Sequence, residues 1–532
     1  MNFDRYYWCR QIWSDLVVND KTIQKVLSQC ANIPKGKLPY NIEEIFEKIR
    51  SFPIPFPLES VRLETLKNRI PMNKLKNNII STYPIVHERV LIQMAKFLLH
   101  KRKHGNYIEK ACYKSMSIPQ FVNRLLKKRA VSFLGAQDWY LLLSGGKGAN
   151  DWDTIGTLEE KSPLILENCL SYDELKLSAM LYVSGYSECI NNGARNNNGI
   201  VDNNAEGDAI VIGLIGPRFL RPDKMDFEDI IIVDDGKYYT NEEETSGGFF
   251  SMFFQSEETR QKIAKRALTQ IWEEFYEHLR MIYYDLPSNH IYVSPSSCDN
   301  LTRIYRYVPG TDNKQVFNYN LYYKRIHILA ETLLLEAEYR AMESEKNAFV
   351  NVVGCGLGTW LLTPHQSNIY VITFMETIHT YLNKGLLDHV TDINFAYIDT
   401  TDAVKAMFPN TIRENDGNPE IKQTFFESST HPKGGINLQM QDREPSSKLT
   451  GEHEGKLLVI TYAADGNSLP GNEFWQESFN TSGGAAAACS TQISELHNAH
   501  INPAVDGYNL RVVGKDGVTT LSEYCTTVTN AI

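Results

Sequence analysis

Asp465 and Glu473 share the segment AADGNSLPGNEFWQESFNTSGGAAAAC (463–489), with Asn467, Gly471 and Asn472 between them. Two carboxylates in one short loop can divide acid and base work, and a base within reach of water typically contributes ~100-fold to 10,000-fold in rate. Side-chain amides donate and accept at once, which suits them to sugar hydroxyls. The run AAAACSTQISEL that follows Gly483 and Gly484 is a strong helix former, and its first-turn N–H groups, uncapped in this reading, are expected to face an anion.

A second stretch, FVNVVGCGLGTW, runs an apolar strand into Gly354, Gly356 and Gly358 and closes on Trp360. Glycines at this spacing let the backbone approach a ligand and aim N–H groups at phosphate oxygens. A plain structural turn is the alternative. The string also resembles the glycine-rich motif of methyltransferases that bind S-adenosylmethionine, in which an acid near Glu376 holds the ribose. A third stretch, SGYSECINNGARNNNG, supplies Asn191 and Asn192, suited to a ribose but equally to turns. HExxH, a complete phosphate-binding GxxxxGK[ST] and GxSxG are absent, and the nine cysteines form no CxxC pair, so no metal or cofactor is expected. His497 and His500 are read as partners of a helix carboxyl terminus. Asp388, Asp392, Asp399 and Asp402 cluster around INFAYI, where solvated strand ends are the simpler reading.

These residues need strands to carry them. DAIVIGLIG, DIIIVDD, HIYVSP, AFVNVVG, IYVITF, INFAYI and KLLVITYA have strand character, and the last predicts Asp465 at a strand's carboxyl end, where open α/β sheets bind ligands. RQKIAKRALTQIWEEFYEHLRMIYY and YYKRIHILAETLLLEAEYRAMES have helical periodicity. NNGARNNNGIVDNNA, YYTNEEETSGGFF and PNTIRENDGNPE are too polar and turn-rich for a core.

Before them, IEEIFEKIRSF, VHERVLIQMAKFLLHKRK and PQFVNRLLKKRA predict helices. Residues 1–130 carry a formal charge of +14 against −24 for the remainder, within a net −10. The expected organisation is a basic helical module (1–130) suited to an acidic partner, an α/β domain (131–510) and a carboxyl-terminal tail (511–532). Ordinary composition over 532 residues, no secretory apolar run and no spanning segment point to a cytosolic protein.

GTLEEKSPLILENCLSYDELKLSAMLYVSGYSECINNGARNNNG, IGLIGPRFLRPDKMDFEDIIIV, VVGCGLGTW and DGNSLPGNEFW with its alanine-rich helix together resemble the MavL-like family, over about residues 135–505. The resemblance implies a macrodomain-like three-layer α/β/α fold with a mixed sheet that binds ADP-ribose. It further implies removal of ADP-ribose from arginine of a modified protein, ubiquitin in the case of the family's Legionella effector; an effector role would place the protein in a host cell. Asp465 and Glu473 match acidic pocket positions, and Gly354, Gly356 and Gly358 match the glycine loop. Asp465 is then the base, and Glu473 orients the ribose hydroxyls or the guanidinium. The chain departs from the family pattern twice: AWDGN becomes AADGN at Ala464, and the acid of SGDPAAA is replaced at Gly484. A non-catalytic ADP-ribose reader and a methyltransferase are the competing readings.

Overall fold

The computed structural model describes residues 13–530 except 37, 39–40, 235–255, 280–290, 293–304, 313 and 413–420, together with residues 3, 6, 8 and 9. Eleven strands form the main sheet. In chain order they are β1 (Tyr83–His87), β2 (Leu181–Ser187), β3 (Ala209–Leu214), β4 (Ala348–Val353), β5 (Val390–Ala396), β6 (Asn410–Ile412), β7 (Ile421–Glu427), β8 (Gly435–Met440), β9 (Leu457–Ala463), β10 (Arg511–Gly514) and β11 (Gly517–Thr520). Their spatial order is β6-β7-β8-β5-β4-β9-β3-β2-β1-β10-β11. The run β8-β5-β4-β9-β3 is parallel, and antiparallel pairs flank it at β7–β8 and β3–β2, which makes the sheet mixed.

Alternating side chains divide the core into two layers, as a pleated strand requires. Ile210, Ile212, Leu457 and Val459 face the cluster that also holds α4 (Tyr319–Glu343) and α5 (His365–Asn383); Val211, Leu458, Ile460 and Tyr462 face the cluster containing Phe474, Trp475 and Ala485. Helices thus cover both faces. Preceding them in the chain are α1 (Ile42–Arg50), α2 (Glu88–His104) and α3 (Glu257–Tyr276), and following them is α6 (Gly483–Ala488). The expected α/β/α architecture with a mixed sheet and helices before the first strand is what the chain adopts.

Several local expectations differ from the structure. IYVITF lies inside α5, whose residues are buried continuously from His365 to Ile378, so an apolar run without amphipathic periodicity misreads as a strand. DIIIVDD contributes Ile231–Val233 to a separate small sheet, and of HIYVSP only Ile291–Tyr292 is described. Val86 and His87, read with the helix that follows, belong to the strand Tyr83–His87. The tail of the RQKIAK helix beyond 279, YYTNEEETSGGFF and most of PNTIRENDGNPE lie outside the described residues.

The domain limits expected at 130 and 510 both cut through the main sheet. β1 pairs with β2 on one side and with β10 on the other. Salt bridges also cross the first limit, joining Arg62 to Glu495, Lys74 to Glu188, Lys101 to Asp173 and Arg124 to Glu174. The acidic partner of these basic side chains is therefore the rest of the same chain. Among the described residues, no helix is long and apolar enough to cross a membrane.

The Arg124–Glu174 pair is buried: Nε lies 2.5 Å and Nη2 3.0 Å from the two carboxylate oxygens, and Ser171 N adds a third donor. Removing one member of such a pair leaves an uncompensated buried charge, whereas replacing both with apolar groups is often tolerated. Glu174→Ala is expected to lower the unfolding free energy by roughly 3–5 kcal/mol, and an Arg124→Met, Glu174→Met double variant by much less. Urea denaturation of the three proteins checks this; equal losses contradict it.

Candidate active site

Three loops leave the carboxyl ends of neighbouring parallel strands: residues 215–220 after β3, 354–360 after β4 and 464–473 after β9. Where the β4–β9 ladder ends, Thr461 Oγ1 accepts from Val353 N at 2.9 Å and so aims the glycine loop. Gly356 has φ +82°, a left-handed conformation that favours glycine. A Cβ on Gly216 would stand 2.3 Å from the Cys355 carbonyl, so the β3 and β4 loops touch through backbone.

The third loop is a chain of side-chain turns. Asp465 Oδ1 accepts from Asn467 N at 2.8 Å, and Asn472 Nδ2 lies 3.4 Å from Asp465 Oδ2. Asn472 Oδ1 accepts from Phe133 N at 2.9 Å, and its carbonyl accepts from Ser132 Oγ at 2.5 Å. Asn472 therefore staples the Asp465 turn to the hairpin beginning at Ser132–Leu134. Gly471 (φ +104°) and Asn472 (φ +41°) make the reversal that brings Glu473 back beside Asp465. Ser482 Oγ donates to Glu473 Oε2 at 2.7 Å and accepts from Ala485 N at 3.1 Å. The start of α6 is thus capped by Ser482, not left open for an anion.

These loops enclose a cavity of 810 Å³ over the second sheet face. Gly354, Gly356, Gly358, Trp360, Asp465, Gly471, Asn472, Glu473 and Gly484 line it. Three expected ligand residues stand off the wall. Asn191 is fully buried, donating to the carbonyls of Ile200 and Cys489 and accepting from Gly193 N; Asn192 holds Ala194 N and Asn197 Nδ2. They shape the loop whose next residues, 193–196, line the cavity. Asn467 is buried behind the turn.

Other expected residues sit elsewhere. Glu376 is bonded by Tyr323 and Thr380 on α5, away from the glycine loop, which removes the ribose acid of the methyltransferase reading. Asp392 pairs with Lys456 at 2.5 Å in the early part of β5. His497 is buried against Tyr462 OH and pushed down to about 3 by desolvation, so it carries no charge for a helix dipole; His500 hydrogen-bonds the Lys127 carbonyl. A larger groove of 1370 Å³ runs between α2, α3 and Tyr172, but its buried lysines are already paired, Lys101 with Glu109 and Asp173 and Lys176 with Asp229.

Several cavity residues escaped the sequence reading, among them Arg195, Glu444 and Arg218. Arg218, on the β3 loop, is only 3% exposed and lies 3.8 Å from Asp465 through Nη1. Its guanidinium carbon is 4.8 Å from the Phe133 ring and 5.8 Å from the Trp360 ring. The signal for it was GPRF directly after a buried strand.

The two carboxyls differ electrostatically. Burial raises Glu473 above the ordinary carboxylate range, the Ser482 hydrogen bond opposes this, and the Asp465 charge adds to it. Asp465 instead faces donors on several sides, from Asn467 N, Asn472 and Arg218.

A mixed α/β sheet, a nucleotide-sized cavity at the ends of its parallel strands and two unlike carboxyls define the class: an α/β protein with a hydrolase-type site. The chain belongs to the MavL-like family of ADP-ribosylhydrolases, whose model, ADP-ribosylhydrolase MavL-like, matches residues 43–527, well beyond the 135–505 suggested by motifs. It is 36% identical to ADP-ribosylarginine hydrolase CG3568 of Drosophila melanogaster over 496 residues, 92% of this chain and 89% of that protein. It is 34% identical to ADP-ribosylarginine hydrolase CG2909 of the same fly over 508 residues, 94% of this chain and 92% of that one.

A carboxyl raised by folding stabilises the folded state fully below its unfolded pKa and loses that contribution as pH climbs through its folded pKa. Glu473→Gln, fixed in a neutral form, is expected to gain in Tm relative to wild type as pH rises from the ordinary value of 4.5 through the raised pKa of folded Glu473. Thermal melts of both proteins across that range check the sign; a pH-independent difference contradicts it.

Proposed function

We propose that this chain hydrolyses the bond between the distal ribose of ADP-ribose and an arginine side chain of a modified protein. The observation that carries the reading is that Asp465 and Glu473 line the same cavity as the glycine loop, so a sugar and a diphosphate fit one site. The names of the two fly relatives support the arginine linkage.

In this reading the glycine loop 354–358 approaches the diphosphate and the two carboxyls flank the sugar carbon bonded to the guanidine nitrogen. As that bond breaks, its electron pair passes to the cationic guanidinium, which leaves as neutral guanidine. The ribose carbon becomes oxocarbenium-like, and nearby negative charge from Asp465 lowers the cost of that state. Water adds to the carbon, and Asp465 takes the released proton as general base. Glu473 orients the ribose hydroxyls or the departing guanidine; its raised pKa equips it to hand the guanidine a proton. Asn472 and Gly471 hold the two carboxyls in register. The substrate class is a cytosolic protein carrying ADP-ribosylarginine, with ubiquitin the first candidate to assay.

Asp465→Asn is expected to slow release of free ADP-ribose from arginine-modified protein by ~100-fold to 10,000-fold, while ADP-ribose still binds. Single-turnover release and calorimetry on the two proteins check this. Equal turnover overturns the role of Asp465; tight ADP-ribose binding by the wild type with no release from any linkage indicates a reader.

A further inference from the structure

We infer that Arg218 is the residue that selects a diphosphate-bearing ligand, its guanidinium donating to the anionic oxygens that the glycine loop approaches from the other side. The inference rests on the proposed ADP-ribose site and adds a side-chain receptor for the ligand's charge.

Arg218 is buried, yet its Nε and Nη1 have no hydrogen-bond partner. Leaving charged donors unmet in a desolvated place costs several kcal/mol, which a fold tolerates where a ligand supplies the acceptors. No internal acceptor makes a hydrogen bond to those donors. Asp465 Oδ1 already accepts from Asn467 N, and at 3.8 Å it acts on Arg218 through charge rather than a hydrogen bond. Asp138, the other buried carboxylate nearby, is paired with Arg221 at 3.5 Å. The Phe133 and Trp360 rings stack on the guanidinium, which orients it but offers its N–H groups no acceptor.

Position narrows the ligand chemistry. Trp360 ends the glycine loop, and Arg218 and that loop line one cavity. The backbone of Arg218 is fixed as well: its N–H donates to Asp226 Oδ2 at 2.9 Å. A planar fork of donors held beside a glycine loop matches the paired oxygens of a diphosphate better than any neutral sugar.

Calorimetry with ADP-ribose, ADP and adenosine on wild type, Arg218→Gln and Arg218→Lys tests the inference. Arg218→Gln is expected to weaken ADP-ribose and ADP by the same factor, about tenfold to hundredfold, with adenosine unaffected and Arg218→Lys intermediate. Unchanged ADP and ADP-ribose affinity with slowed turnover overturns it, making Arg218 a positioning residue for Asp465 only. Wild type that binds ADP in an Arg218-dependent way but rejects ADP-ribose overturns the proposed function and keeps Arg218 as a diphosphate receptor. Should the variants not fold, phenylglyoxal labelling of the wild type decides: pyrophosphate is expected to protect Arg218 from modification, read by peptide mass spectrometry, and absence of protection overturns the inference.

Discussion

The site depends on a buried guanidinium that never reaches it. Arg325, in the second turn of α4 and fully buried, donates Nε to Asp226 Oδ1 at 2.9 Å and Nη2 to the carbonyls of Ala179 and Ile215 at 2.8 and 3.0 Å. Each contact fixes a different loop. Ile215 starts the β3 loop, and Asp226 holds the backbone N–H of Arg218 farther along it. Ala179 sits against Gly466, where a Cβ would stand 2.7 Å from the Ala179 backbone, and Ser178 Oγ donates to the Gly466 carbonyl at 2.8 Å. One cation thus sets the β3 loop and the Asp465 turn from beneath. Burying that charge is affordable because Asp226 and three neutral oxygens meet it: burial alone would loosen its proton, but the Asp226 charge and the neighbouring tyrosines outweigh this and hold it more firmly.

Part of the charge asymmetry along the chain is met in the same way, inside the molecule. The basic first 130 residues read as a module awaiting an acidic partner, but Lys101, Arg124, Arg62 and Lys74 meet acids from beyond residue 170. Such pairs across a long sequence separation tie α2 and the segments around Arg62, Lys74 and Arg124 to the rest of the chain. Most of the partially exposed pairs contribute little individually; the buried Arg124–Glu174 pair does far more to make the two regions one body.

How much of this was legible follows from the kind of chemistry each residue performs. The glycine loop and the Asp465–Glu473 segment stand out because backbone demands leave marks in residue type: Gly356 and Gly471 adopt positive φ, and Asp465 caps its own turn. Strand identity was readable in β9, a short apolar run buried on both faces, and failed in α5, where an equally continuous apolar run is part of a helix buried on all sides. Asn191 and Asn192 look like ligand residues because the amides that would hold a sugar are the same amides that hold a loop. Arg218 was unreadable for a different reason. It is one of 54 lysines and arginines, and what distinguishes it, burial between Phe133 and Trp360, depends on residues distant in sequence.

Gly484 illustrates how the absence of a group shapes the site. A Cβ there would stand 3.0 Å from the Ala463 carbonyl, so a larger residue would need the start of α6 or the end of β9 to give by a few tenths of an ångström. That approach keeps Ser482 where its hydroxyl can cap Ala485 N and bond Glu473 in one arrangement. A third carboxylate at this point would add like charge beside Glu473, whose pKa burial and Asp465 already raise. With glycine in its place no further like charge acts there, and Glu473 is raised by burial and by the Asp465 charge. The proposed division of the pair into base and acid accords with the rule that carboxyls placed in unlike environments take unlike roles.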